Sequence, residues 1–204
     1  MAATPARIEA TDALLDAAER LLVEIGHASI TTRKLAERAG VNHGLVHYYF
    51  GSMEDLLLRV VERFTDRLIE RQRQMYGADI PFIEKWRQAM RYLDADSESG
   101  YHKVWYEMQA LAWNNDAVRT RLQHVTQQWV EVVGAAFETG LTELGVDRRR
   151  YPTKAVVSLV VTFNQGIMVE RLLGFDSGHR ELLRMVDRTL ERLWEGRKDA
   201  SARA

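Results

Sequence analysis

His43 and His47 stand four residues apart, a spacing that puts two imidazoles on one face of a helix, as paired metal ligands require. The residues between them are Gly44, Leu45 and Val46, so no HExxH pattern forms, and the chain has no cysteine. A second set, His102, Glu107, Gln109 and His124, has the groups for acid–base chemistry if brought together. Its spacing shows no convergence, and the pattern around His102 and His124 reads as solvated surface. Nowhere does a glycine-rich phosphate loop, a nucleophile elbow or a paired-carboxylate motif occur. The expectation is a protein that is not an enzyme, with no metal and no cofactor.

The two histidines have a better use in the segment that holds them. From Thr31 to Phe50, small and apolar side chains fall at the offsets that two short helices crossing at a tight turn demand. With the first helix starting at Thr32, the inward positions are Leu35, Ala39, Val41, Val46 and Tyr49. Ala36 marks the closest approach, and Gly40 ends the first helix where a left-handed backbone is needed. This is a helix-turn-helix, and His43 to Tyr49 is the edge it offers to DNA.

The chain has 204 residues and a formal net charge of −1, so it is no polycation that coats nucleic acid, and any DNA contact must be local. Across the motif, Arg33, Lys34 and Arg38 stand against Glu37, with His27, His43 and His47 able to add charge. Such weak electrostatics predict that one copy grips DNA poorly and that two copies on paired half-sites are needed. No apolar run of signal-peptide type opens the chain, and no uncharged stretch reaches 18 residues, so a cytoplasmic protein with no membrane partner is expected.

Apolar positions recur at helical spacing almost throughout and strand signals are nearly absent, which predicts an all-α fold. A first helix over Pro5 to Ile25 covers the motif. Ser52, with Asp55 three residues on, opens a longer helix to about Tyr76. Breaks at residues 79–81, 94–100, 114–116, 145–152 and 174–178 divide the remainder into five helices. The expected organisation is a helix-turn-helix DNA-binding domain over 1–51, a ligand-binding and dimerisation domain over 52–196, and a disordered tail over 197–204.

Within the second domain, Thr153 to Leu173 is apolar on nearly every side and must be covered all round. With the last helix it predicts an isologous four-helix interface of a homodimer, using Val157, Val161, Gln165, Leu182, Val186 and Leu190. All five tryptophans lie outside the motif. Trp86, Met90, Trp105, Met108, Gln109, Trp129, Phe163, Asn164 and Met168 are the candidate lining of a pocket for an apolar or aromatic effector. Each apolar one of them taken singly also fits a core position.

The residues Gly26, Ile30-Thr31-Thr32, Leu35-Ala36, Ala39-Gly40-Val41, Gly44, Tyr49-Phe50 and Leu56-Leu57 together resemble the tetracycline repressor (TetR) family of transcriptional regulators. The resemblance covers roughly residues 8 to 60. It implies a homodimer whose second motif helix lies in successive major grooves of a palindromic double-stranded operator, released when a small molecule binds behind it. Positions matching Thr32, Arg33, His43, Gly44, Leu45, His47 and Tyr49 meet DNA in that family. Lys34 and Tyr48 extend the same edge here. Two departures stand out: His47 replaces the usual phosphate-contacting tyrosine, and Met53 the usual lysine. Because His43 to Tyr49 contains no Arg, Lys, Asn or Gln, base reading would rest on His43, Gly44 and Leu45. The alternative is a protein that binds and sequesters a small molecule while regulating little.

Overall fold

A computed structural model describes residues 5–98 and 100–202. The helices are α1 (Pro5–Ile25), a 3-10 turn (His27–Ser29), α2 (Thr32–Ala39), α3 (Gly44–Phe50), α4 (Met53–Gly77), α5 (Phe82–Glu98), α6 (Tyr101–Ala112), α7 (Asp116–Glu143), α8 (Thr153–Leu172) and α9 (His179–Ala202). No strand occurs among the described residues. The all-α expectation therefore holds. One point differs from the expected organisation. Residues 197–202, read as a disordered tail, continue α9. Arg197, Lys198 and Asp199 are exposed, and an exposed helix end needs no apolar face.

The chain divides into two compact units, one within Met1–Arg67 and Ser99–Val125, the other within Leu68–Glu98 and Thr126–Ala204. The functional division expected at residue 51 thus falls inside the first unit, which also takes in the start of α4, α6 and the start of α7.

In the first unit α1 packs on α2 and α6. Leu14, Leu22, Leu35, Val46, Leu56, Val60 and Met108 are fully buried there. The caps explain the element boundaries. Thr31 accepts a hydrogen bond from the Lys34 N–H and starts α2, and Gly40, at φ 68°, ends it. Ser52 Oγ accepts the Asp55 N–H at 3.0 Å and starts α4. Arg121 on α7 then donates to Asp55 at 3.1 Å and, through two nitrogens, to Glu62 at 2.7 Å each, fixing the head of α4 from outside. Across from it, Arg63 donates to Glu19 and Asp16 of α1, both at 2.7 Å.

Two glycines in this unit predict different penalties. Gly100 has φ +78°, and a Cβ there would meet both Val23 methyls at 2.8 Å, whereas Gly40, at φ +68°, has nothing within 4 Å. Gly40→Ala is expected to destabilise by about 1 kcal/mol, the left-handed backbone alone. Gly100→Ala adds overpacking against α1, for about 2 kcal/mol or more. Urea unfolding of the two variants side by side measures the difference.

The second unit has its own core, in which Phe82, Trp86, Val133, Phe137, Leu144 and Val157 are buried together. Phe82 and Phe137 meet edge to face at 5.1 Å. α5 packs on α9, and their seam is closed by Arg87, which donates to Asp187 at 3.0 and 3.2 Å and to Glu191 at 3.1 Å. These carboxylates, Asp187 foremost, hold the guanidinium pKa well above its usual value.

Candidate nucleic-acid interface

Burial of Leu35, Ala36, Val46 and Phe50 fixes how α2 and α3 cross, and leaves the opposite faces of both helices to solvent. Arg33, Lys34, His43, Gly44, His47 and Tyr48 are exposed, while Thr32, Leu45 and Tyr49 are half-buried. Tyr48 is 75% exposed and touches the Tyr49 ring edge-on at 5.0 Å. A large aromatic held outward on a rigid seven-residue helix is poised for contact with a partner surface.

The polar groups on this edge are unequally available. Among the described residues neither Arg33 nor His43 has a hydrogen-bond or ion-pair partner. Lys34 Nζ, in contrast, donates to the Ser29 carbonyl at 3.0 Å. Arg38 is held by Glu24 through bonds of 2.7 and 2.9 Å, and the Arg38 guanidinium beside it holds the Glu24 carboxyl below the usual range. One ring nitrogen of His47, Nδ1, lies 3.2 Å from the Gly51 carbonyl oxygen, which leaves Nε2 facing outward. Arg33 therefore carries the unpaired guanidinium of α2, and Lys34 keeps its charge and two further protons to give.

Sequence reasoning missed Asn42. Its Oδ1 accepts the Gly44 N–H at 2.9 Å, which caps the start of α3 and sets the orientation of His43 beside it. The signal was present, since Asn is among the best N-terminal caps. Gly44 itself has that same oxygen 3.4 Å from where a Cβ would sit.

The remaining predicted groups scatter. Trp86, Met90 and Trp129 join the core of the second unit. Trp105 and Met108 are buried in the first, where Trp105 stacks on Tyr101 at 6.2 Å, and Gln109 is half-buried on the same helix. Phe163 and Asn164 are half-buried on α8 and Met168 is buried. The nine are thus spread over both units, and none lines the cavity of the second unit described below.

The acid–base set also stays apart. His102 is buried at 9% exposure, against the surface position expected, because it lies on the inward face of α6 beside Tyr101. Glu107 accepts the His27 N–H at 2.7 Å and so ties α6 to the end of α1. His124 is exposed. No group of three or more His, Cys, Asp or Glu is placed to hold a metal among the described residues.

α8 is turned differently from the expectation. Val157 is buried, and Val161, Val186 and Leu190 pack against the core of their own unit, with Leu182 and Gln165 half-buried. Outward instead stand Leu159 at 70% exposure, Val169 at 39% and, on α9, Met185 at 54%. Gly166, between them, has nothing within 4 Å of an added Cβ. By length and composition α8 is also apolar enough to cross a membrane, with 17% of that stretch buried, even though Lys154 and Glu170 bound its uncharged run.

A short crossed pair of helices, a stabilising helix before it, and a free cation, imidazoles and an outward tyrosine on its edge define a helix-turn-helix DNA-binding protein with a second helical unit. Residues 14–60 match the family model described as bacterial regulatory proteins, tetR family. The DNA-binding region of the chain is thus of that family, and the chain is similar to HTH-type transcriptional regulators. It is similar to the uncharacterized HTH-type transcriptional regulator YfiR of Bacillus subtilis, with 23% identity over 170 residues, 80% of each chain. It is also similar to the HTH-type transcriptional repressor KstR2 of Mycolicibacterium smegmatis, 27% identical over 143 residues, 67% of this chain and 70% of that one. Among solved structures, the transcriptional regulator FadR from Bacillus subtilis in complex with stearoyl-CoA shares the fold. Its TM-score is 0.70 at 16% identity, over 91% of this chain and 98% of that one.

Proposed function

We propose that this protein is a cytoplasmic homodimeric repressor that occupies a palindromic operator and leaves it when a small molecule binds the second unit. It carries out no catalysis. The observation that carries the reading is the α2–α3 edge. Arg33 and His43 lack partners among the described residues, Tyr48 points outward, and the half-buried Leu45 and Tyr49 are held beside them by Val46 and Phe50. Arg33 suits phosphate oxygens, while His43 and the Gly44 backbone are the groups able to approach base edges. With Arg38 paired to Glu24, one copy offers phosphate only Arg33 and the remaining protons of Lys34, which supports pairing through the uncovered face of α8 and α9. The relative named a repressor and the FadR structure that holds stearoyl-CoA support repression and ligand response.

Selection of bound fragments from genomic DNA tests the reading. The wild type is expected to enrich an inverted repeat, and Arg33→Ala with Tyr48→Ala to lose at least tenfold in affinity for it while keeping its circular dichroism. Both side chains are exposed, so neither substitution disturbs the core. A wild type that enriches no motif at moderate salt overturns operator reading.

A further inference from the structure

The second unit contains a cavity of about 280 Å³ between the end of α4, the start of α5 and one face of α7. Its floor is the small-residue side of α7, including Ala136 and Gly140, and its apolar wall is Phe82 and Val132. Three polar side chains converge on it from the other helices: Arg73 and Tyr76 of α4 and Lys85 of α5. Glu143 adds a carboxylate.

The charges do not cancel. One oxygen of Glu143 accepts the Phe82 N–H at 2.9 Å, at the first residue of the 17-residue helix α5, so its charge is taken up by a helix N-terminus. Lys85 Nζ donates to the Tyr76 carbonyl at 2.7 Å, a neutral acceptor, and keeps two further protons to give. The nearest carboxylate to Arg73 is Glu70 at 3.9 Å, too long for a hydrogen bond. Tyr76 adds a third donor at the same wall. Burial pushes its phenol up to about 12, and among the described residues its hydroxyl has no hydrogen-bond partner. That hydroxyl, half-buried and unpaired, is available to donate to a molecule in the cavity. At neutral pH it remains a protonated donor.

We propose that this cavity binds a small organic carboxylate, its anionic end between Lys85, Arg73 and the Tyr76 hydroxyl and its short apolar body against Phe82, Val132 and the floor of α7. At about 280 Å³ the cavity lies at the small end of ligand sites and suits a metabolite-sized occupant. The ligand's role as the effector rests on the regulatory reading above, and its binding does not. The cavity lies wholly within one compact unit, so the test needs no DNA.

Full-length protein is titrated by calorimetry with sodium benzoate and sodium hexanoate at low salt, with benzamide as the neutral isostere of the first and choline as a cation of similar size. The carboxylates are expected to bind one per chain and at least tenfold more tightly than benzamide or choline. Lys85→Met and Arg73→Gln are each expected to weaken benzoate at least fivefold, and Ala136→Leu to fill the floor and remove binding. Absence of carboxylate binding below 10 mM, equal binding of benzamide or choline, or benzoate binding unchanged in both cation variants overturns the proposal. The two surface cation variants keep the test decisive if Ala136→Leu does not fold. Failure here would leave operator selection untouched, and failure of that selection would leave this titration standing.

Discussion

Gly140→Ala is expected to lower the stability of the second unit by about 3 kcal/mol, the upper end of what overpacking a closed core costs. A Cβ on Gly140 would fall inside van der Waals contact with Cγ, Cδ2 and Cε2 of Phe82. That ring has room only toward the cavity it walls. Phe82 is 2% exposed, its edge meets Phe137, and its own N–H is bonded to Glu143 three residues along the helix that carries Gly140. Relief therefore requires the ring to turn into the cavity or α5 to move off α7, and either way packing is lost. Gly134 on the same helix is the control: nothing lies within 4 Å of its added Cβ. Gly134→Ala should accordingly gain about 0.5–1 kcal/mol from helix propensity. Opposite signs for two Gly→Ala changes six residues apart on one helix cannot come from propensity. The pairwise origin is checked by a double-mutant cycle with Phe82→Leu, in which the leucine, lacking the ring edge, is expected to recover about 1–2 kcal/mol of the Gly140→Ala loss. Urea denaturation followed by tryptophan fluorescence reads all four proteins. A Gly140→Ala loss under 1 kcal/mol would show that α5 and α7 do not close over that ring.

The same pair of residues separates what is legible in a sequence from what only the fold shows. The helix-turn-helix is a local device. The offsets of Leu35, Ala36, Gly40 and Val46 determine it within one short segment, and Gly40 at φ 68° and the Ser52 cap stand where the sequence placed them. Gly140 against Phe82 is a contact between residues 58 positions apart in the chain, and nothing local to either announces it. The carboxylate cavity has the same property, since Arg73, Lys85 and Glu143 come from three helices. Counting charges misjudged the DNA edge for a related reason. Arg38 looks available in the sequence, yet its acceptor, Glu24, lies 14 residues upstream and pairs with its charge.

The facing of α8 was illegible for a different reason: a helix apolar on nearly every side has no period to read. Only packing distinguishes Val157 and Val161, inward on their own unit, from Leu159 and Val169, outward. The outward set leads to the second large effect. In the proposed dimer, Leu159→Glu with Val169→Glu is expected to give a monomer and to weaken operator binding more than a hundredfold. An isologous interface presents the same patch twice, so each substitution introduces two carboxylates that must be desolvated together, and a buried unpaired charge is far costlier than the contact it replaces. Loss of pairing then removes one of two half-sites, and with it half the phosphate contacts of an edge already short of free cations. Folding of each chain should survive, because Leu159 at 70% exposure packs on little within its own unit. Sedimentation velocity gives the mass and fluorescence anisotropy on the selected repeat gives the affinity. A double variant that stays dimeric would place the interface on another surface. One that becomes a monomer yet holds the repeat at wild-type affinity would mean that a single copy grips DNA through contacts beyond Arg33, His43 and Tyr48.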